Sequence, residues 1–220
     1  CHVMWLYGFV GCGKSAIAQT IAERVAKRGR LGGSFFFFRA SGDRGRIWKL
    51  PATLAYQISL AIPSTAPLIR KAVEEEPGLL MPDAVSLHER MRRLVYAPIE
   101  AAVSMTSILL KGPYLIILDG LDECEDRDQV EQFVVGLLAF LQSAPSTFPL
   151  RFLITSRVEE HIRQHLQTDA VALINLADHA ADADIEYFLR MLFTEEARRN
   201  RTIQSYGSCW PSQEQLAQLV

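Results

Sequence analysis

Near its amino terminus the chain carries a glycine-rich run whose residue types and spacing suit contact with phosphate groups. The run reads Gly8-Phe9-Val10-Gly11-Cys12-Gly13-Lys14-Ser15. Glycines let a backbone wrap tightly, so that successive amides point at phosphate oxygens. The ammonium of Lys14 would reach the β- and γ-phosphates, and the hydroxyl of Ser15 would bind Mg²⁺. This is the spacing of the Walker A motif.

The segments on either side of this run fit the same chemistry. An apolar strand is predicted before it, over residues 3–7, and a helix after it, from about residue 15 to 28. The helix would direct the positive end of its dipole at the bound anion. The residues expected to bind nucleotide are Gly8, Gly11, Cys12, Gly13, Lys14, Ser15 and Ala16. A glycine-rich turn that binds nothing is the alternative interpretation.

A second group of candidate residues follows the apolar run Leu115-Ile116-Ile117-Leu118-Asp119. This pattern is typical of a Walker B strand, and Asp119 would hold Mg²⁺ through water. Gly120 and Leu121 then lead to an acidic pair, Asp122 and Glu123, one of which would polarise the attacking water. The sequence leaves open which of the two does so. A solvated turn before a helix is the other interpretation of the pair.

The third element is the end of a predicted strand, Leu153-Ile154-Thr155-Ser156-Arg157. Parallel strands deliver their last residues to the edge of the sheet where ligands bind, so Thr155, Ser156 or Arg157 would read a γ-phosphate. Arg157 could equally be an arginine at a helix start that pairs with Glu160. Ser156 is expected to cap the short helix that follows.

The elements that must position these residues alternate between short apolar runs and amphipathic helices, which is typical of a parallel sheet covered on both faces. The predicted strands are residues 3–7, 34–38, 114–118, 150–155 and 171–176. We expect a sheet domain over residues 1–177 and the start of a helical module over residues 178–220. Because residue 1 is not Met and the sequence stops within a predicted helix, a segment of a longer protein is expected.

The composition excludes several classes of protein. The chain has 220 residues, of which 49% are hydrophobic and 22% charged, so intrinsic disorder is excluded. The formal net charge of -2 argues against non-specific binding of nucleic acid. No apolar run approaches the roughly 18 residues that span a bilayer. The cysteines are scattered and no signal-peptide pattern opens the chain, which favours the cytoplasm.

The motifs GFVGCGKS, LIILDGLDE and FLITSR, in that order, resemble the NACHT family of signalling P-loop NTPases, in the STAND class. More narrowly, they look like the fungal NLR-like and nephrocystin-type members, over about residues 3–197. The resemblance implies a three-layer α/β/α P-loop fold with a mainly parallel five-stranded sheet. In such a sheet the strand ending at Arg157 lies between the Walker A and Walker B strands.

The same resemblance implies a function. It predicts ATP and ADP as ligands with Mg²⁺, slow ATP hydrolysis, and a switch from a closed ADP form to an open ATP form that self-associates to signal. No nucleic acid or membrane partner is expected. Two other readings remain: a metabolic P-loop kinase, whose acceptor pocket and arginine-rich lid the sequence does not reveal, and a nucleotide-binding scaffold with little turnover.

Overall fold

Five strands form one sheet in which each pair of neighbours runs parallel. The computed structural model describes residues 1–39, 42–82, 84–105, 112–179, 182–200, 210 and 212–214. Within these residues the strands are β1 (Val3–Tyr7), β2 (Leu31–Phe36), β3 (Tyr114–Asp119), β4 (Leu150–Ser156) and β5 (Val171–Asn175). Each predicted strand is found, although β2 begins and ends earlier than expected.

Helices fill the connections between the strands. The α-helices are α1 (Lys14–Lys27), α2 (Leu50–Ala61), α3 (Ala66–Glu75), α4 (Leu87–Met91), α5 (Ala97–Met105), α6 (Arg127–Ser143), α7 (Glu160–Leu166) and α8 (Asp182–Arg199). A π-helical turn, Arg92–Tyr96, joins α4 to α5, and a 3₁₀ turn, Leu121–Glu123, follows β3. The N-cap of α7 is Glu159, so the expectation that Ser156 caps this helix is wrong.

The strand order is β2-β3-β4-β1-β5, which confirms the expectation that β4 lies between β1 and β3. The register aligns the ends of these three strands, since Tyr7 pairs with Ser156 and Leu118 pairs with Ile154. The loop after β1, the turn after β3 and the segment after β4 therefore leave the sheet at the same edge. In open parallel sheets this carboxyl edge is where ligands bind.

Alternate residues of a strand pack on opposite faces of the sheet, so the core has two apolar clusters. In β3, Ile116 and Leu118 belong to the larger cluster, which includes Val130 of α6. Ile117, which lies between them, packs with Ala18 of α1 in the smaller cluster. Helices thus cover both faces, and the arrangement is a three-layer α/β/α fold.

The start of β2 contains glycine because α2 lies close against it. A β-carbon on Gly33 would lie 3.0 Å from Cδ2 of Leu54 and 2.8 Å from Oε1 of Gln57. The amide of Ser34 donates to that Oε1 at 2.6 Å, and Nε2 of Gln57 donates to the Ser34 carbonyl at 3.1 Å. The Gln57 side chain therefore covers backbone groups of an edge strand. Glycine weakens the sequence signal for a strand, which is why β2 begins earlier than expected.

The chain divides into two compact units, Cys1–Leu176 and Ala177–Val220. The first unit contains the sheet. The second contains α8 and a pair of rings, Phe193 and Trp210, whose centroids are 5.3 Å apart in an edge-to-face arrangement. The interpretation of the second unit as the start of a helical module stays a prediction. Across the described residues, no helix is at once long enough and apolar enough to cross a bilayer.

Candidate functional site

The segment between β1 and α1 is a loop that turns on glycines. Gly11 and Gly13 have φ angles of 79° and 88°, in the left-handed region that favours glycine. A β-carbon at either position would meet nothing within 4 Å, so the backbone conformation and not crowding requires glycine there. Gly13 is the N-cap residue of α1 and has no side chain with which to cap the helix. The first amides of α1 are therefore left for another acceptor.

The side chain of Lys14 lies over this loop. Its Nζ donates to the carbonyl oxygen of Gly8 at 3.0 Å and to that of Phe9 at 2.7 Å. The Sγ atom of Cys12 lies 3.6 Å from the same nitrogen. The loop itself thus holds the positive charge of Lys14 beside the start of α1.

A buried hydrogen-bond network joins the ends of β3 and β4. The hydroxyl of Thr155 donates to Oδ1 of Asp119 at 2.5 Å and accepts from the amide of Gly120 at 3.0 Å. Thr155 is fully buried and Asp119 is 3% exposed. Because a buried polar group without a partner is costly, this network fixes both the Asp119 carboxylate and the start of the following turn.

Asp122 and Arg157 form an ion pair next to this network. Oδ1 of Asp122 accepts from the backbone amide of Arg157 at 2.9 Å, and Oδ2 accepts from its Nε at 2.6 Å. The hydrogen bond to Asp122 and the charge of that carboxylate raise the pKa of Arg157 above its ordinary value. The expected alternative, a pair between Arg157 and Glu160, is wrong because Glu160 pairs with Arg163 at 2.8 Å.

The other member of the acidic pair, Glu123, lies at the end of a 3₁₀ turn and is half-buried. Its Oε2 accepts from the backbone amide of Arg39 at 3.3 Å, while Nη2 of Arg39 donates to the carbonyl of Asp122 at 3.0 Å. Gly120, which opens the turn, has a φ of 70°, and a β-carbon there would lie 3.3 Å from the Phe37 carbonyl. The turn therefore packs closely against the residues that follow β2, Phe37 and Arg39.

These groups surround a cavity of about 270 Å³ at the carboxyl edge of the sheet. The loop supplies a lysine, the turn after β3 supplies two carboxylates, and the end of β4 supplies a guanidinium. The lining residues are Val10, Gly11, Gly13, Lys14, Ser15, Ala16, Gly120, Asp122, Glu123, Thr155 and Arg157. Groups from three separate stretches of the sequence thus meet in one space.

A family model described as nephrocystin 3, N-terminal, matches residues 1–157. The chain belongs to this family. The nephrocystin 3 N-terminal family is not the NACHT domain itself, so the match supports the nephrocystin-type part of the resemblance drawn from the sequence. No curated protein and no solved structure matches the chain. All the residues that line the cavity lie within the part that matches the nephrocystin 3 N-terminal family.

Five of the seven residues expected to bind nucleotide line the cavity: Gly11, Gly13, Lys14, Ser15 and Ala16. Gly8 and Cys12 do not line it. Gly8 is buried, and a β-carbon there would come 2.9 Å from the Sγ of Cys12, so these two residues pack together at the base of the loop. Asp119, the expected Mg²⁺ ligand, does not line the cavity either; it is almost fully buried and accepts a hydrogen bond from Thr155, which does line it.

The structure separates the three candidates for reading a terminal phosphate. The hydroxyl of Ser156 accepts from Nε1 of Trp5 at 2.8 Å and donates to the Arg157 carbonyl. The hydroxyl of Thr155 donates its hydrogen bond to the Asp119 carboxylate. Arg157, whose side chain is 39% exposed, is the candidate whose charged group reaches the cavity from the end of β4.

Sequence reasoning missed Val10 and Gly120 as residues that line the cavity, and it missed the contact of Arg39 with the acidic turn. Val10 occupies a variable position of the motif, where the pattern carries no information about contacts. Gly120 did carry a signal, because a glycine directly after a buried strand often marks a left-handed turn. The cluster of Arg39, Arg44 and Arg46 in one stretch of sequence favours a solvated loop over a phosphate clamp, and it does not reveal the contacts of Arg39 with residues more than eighty positions later.

Removing the hydroxyl of Thr155 should destabilise the fold at this edge. Thr155→Val keeps the shape but leaves the Asp119 carboxylate and the Gly120 amide short of a partner, so we expect a loss of about 1–3 kcal/mol in the free energy of unfolding. Urea denaturation measures it. Thr155→Ser, which keeps the hydroxyl, should recover most of the loss. Equal stability of the valine variant and the wild type would contradict the network described above.

Proposed function

We propose that this chain is a nucleotide-binding module that binds ATP with Mg²⁺ and hydrolyses it slowly. The observation that carries the proposal is the cavity that Lys14, Glu123 and Arg157 line together. A glycine-rich loop with a lysine, an acidic strand end and an arginine are the groups that proteins place around a transferring phosphoryl group. The choice of ATP over GTP is part of the proposal and rests on the resemblance of the motifs.

The loop suits the binding of phosphate groups. Backbone turns with left-handed residues such as Gly11 and Gly13 form concave anion sites, and α1 adds the positive end of its dipole. Lys14 would exchange its two carbonyl partners for phosphate oxygens, which are stronger, charge-assisted acceptors. Ser15 and Ala16, at the first turn of α1, are exposed at the cavity and accessible to a ligand.

The residues present also fit Mg²⁺. The hydroxyl of Ser15 and the carboxylate of Asp119 are the oxygen ligands that we assign to it, with Asp119 acting through water because it is so deeply buried. No group of three or more His, Cys, Asp or Glu side chains in the described part of the chain is arranged so that it could hold a metal ion. Mg²⁺ suits such a sparse site because it retains several water ligands. When bound, the ion would offset the negative charge of the phosphates.

The contacts of the acidic pair indicate different roles for its two members. Both carboxylate oxygens of Asp122 accept from Arg157, and Asp122 is only 4% exposed. Glu123 is half-buried and lines the cavity. We therefore assign the positioning of the attacking water to Glu123, and to Asp122 the positioning of Arg157.

Arg157 is the residue that we assign to the γ-phosphate. Asp122 engages its Nε, and a guanidinium carries further N–H donors on its two terminal nitrogens. Those donors would contact a γ-phosphate and would lack that partner with ADP. A ligand shifts an equilibrium only through unequal affinity for two states, so this contact is the kind that a nucleotide switch requires.

The wider biological role is also part of the proposal. By the resemblance of its motifs, the chain would belong to a cytoplasmic NLR-like signalling protein that alternates between ADP and ATP forms. The ATP form would self-associate through this module. Nucleotide would be its ligand, with no direct contact to nucleic acid or membrane.

Replacing Lys14 tests nucleotide binding. We expect Lys14→Ala to weaken ATP binding at least tenfold, or about 1.4 kcal/mol, because the ammonium no longer offsets phosphate charge. Isothermal titration measures the affinity. Lys27→Ala, at the exposed far end of the same helix, is the matched control and should bind like the wild type. Unchanged ATP affinity in a folded Lys14→Ala chain would contradict the proposal.

Replacing each member of the acidic pair tests their division of roles. Glu123→Gln should retain ATP affinity and slow hydrolysis by about 10²–10⁴-fold, the usual contribution of a general base. Asp122→Asn should instead weaken ATP binding more than ADP binding, because the neutral amide holds Arg157 less firmly. Titration and phosphate release measure the two effects.

The matched control for both variants is Glu125→Gln, an exposed acidic residue just beyond the turn. It should change neither affinity nor hydrolysis. If Glu123→Gln and Asp122→Asn behaved alike in both measurements, the separate roles assigned to them would be wrong.

A further inference from the structure

Described residues that follow β2 are hydrogen-bonded to the acidic turn and to the residues on either side of it. The amide of Phe37 donates to the carbonyl of Asp119 at 2.8 Å, and the amide of Glu125 donates to the carbonyl of Gly45 at 2.8 Å. Arg39 lies between these two backbone contacts. The turn that carries Glu123 is thus framed by these residues on the β2 side.

Arg39 contacts the turn at two points. Its backbone amide donates to the Glu123 carboxylate at 3.3 Å, and its guanidinium Nη2 donates to the Asp122 carbonyl at 3.0 Å. The first contact is to the side chain that we assign to water positioning. The second is to the backbone immediately before it. Arg39 therefore restrains both ends of the Glu123 residue, its carboxylate and its peptide bond.

We propose that Arg39 is a positioning residue for hydrolysis, whose guanidinium holds the Asp122–Glu123 peptide bond and thereby fixes the backbone from which the Glu123 carboxylate polarises water. This inference rests on the function proposed above. A glutamate side chain has several rotatable bonds, and a group that activates water must be held within a fraction of an ångström of its working position. Arg39 is not among the residues that line the cavity, so it acts through Glu123 and not on the nucleotide.

The inference depends on the hydrogen bonds of Arg39 to the acidic turn and not on its positive charge. Arg46, another residue that follows β2, also carries a positive charge and lies 3.8 Å from Glu125, with both side chains exposed. Arg46 contacts Glu125, which lies beyond the turn and has no assigned role. Arg46→Ala therefore removes the same charge from the same stretch of sequence without touching Glu123, and it is the matched control.

The test compares ATP hydrolysis and ATP affinity in the wild type, Arg39→Ala, Arg39→Lys and Arg46→Ala. Arg39→Ala keeps the backbone amide but removes the hydrogen bond from the guanidinium to the Asp122 carbonyl. We expect this loss to lower kcat about ten- to a hundredfold, as is typical of a displaced catalytic group, while the Kd for ATP changes less than about twofold. Arg39→Lys, whose ammonium can still donate to the Asp122 carbonyl, should recover part of the loss. Arg46→Ala should match the wild type.

A second comparison distinguishes positioning from a general structural role. In the Glu123→Gln background, Arg39→Ala should cause no further loss of kcat, because residues that act as one unit are not additive. A further loss in that background overturns the proposal. So does an Arg39→Ala variant whose kcat equals that of Arg46→Ala, or one that loses ATP affinity and kcat together.

The outcome also separates this inference from the proposed function. A wild-type chain that binds ATP but does not hydrolyse it overturns the role of Arg39 and leaves nucleotide binding in place. A wild-type chain that does not bind ATP overturns both. Hydrolysis in the wild type that is unchanged in Arg39→Ala overturns the role of Arg39 alone.

Discussion

The ion pair between Asp122 and Arg157 joins two strand ends that are 35 residues apart in the chain, at the edge of the sheet where the cavity lies. The pair depends on the strand order, because β4 lies directly beside β3. Asp122 is almost fully buried, so its charge needs a close partner, and Arg157 supplies two N–H donors to it. The positions of the guanidinium and of the acidic turn are therefore set together, and the remaining groups of the cavity are arranged around them.

Rigid elements hold each side of this cavity. β4 is the middle strand and is covered on both faces, so the Thr155 hydroxyl and the start of the Arg157 backbone are fixed by the core of the sheet. The loop before α1 is fixed by its left-handed glycines, Gly11 and Gly13. Sites built on such elements keep their geometry when the charged groups inside exchange partners. This is the property that a module reading the state of a bound nucleotide would need.

The parts that the sequence predicted are those encoded locally. The glycine loop, the apolar strand before Asp119 and the strand before Arg157 each carry their signal within a few residues, and the structure brings all three to one edge. The partner of Arg157 could not be predicted in this way, since Glu160 is near in sequence whereas Asp122 is near only once β3 and β4 are paired. For the same reason, no pattern linked Arg39 to the acidic turn. The early start of β2 was missed because Gly33, which α2 requires, does not look like a strand residue.

The central claim is that Arg157, held by Asp122, distinguishes a nucleoside triphosphate from a diphosphate in this cavity. The most direct test is the ratio of ATP to ADP affinity, measured with Mg²⁺ by isothermal titration for the wild type and Arg157→Ala. A general loss of protein stability would weaken the binding of both nucleotides to the same extent, so it cancels in this ratio. The account predicts that Arg157→Ala lowers ATP binding by about 1.5–3 kcal/mol, the range for hydrogen bonds to charged groups, and leaves ADP binding nearly unchanged. The same ratio in both proteins would contradict it.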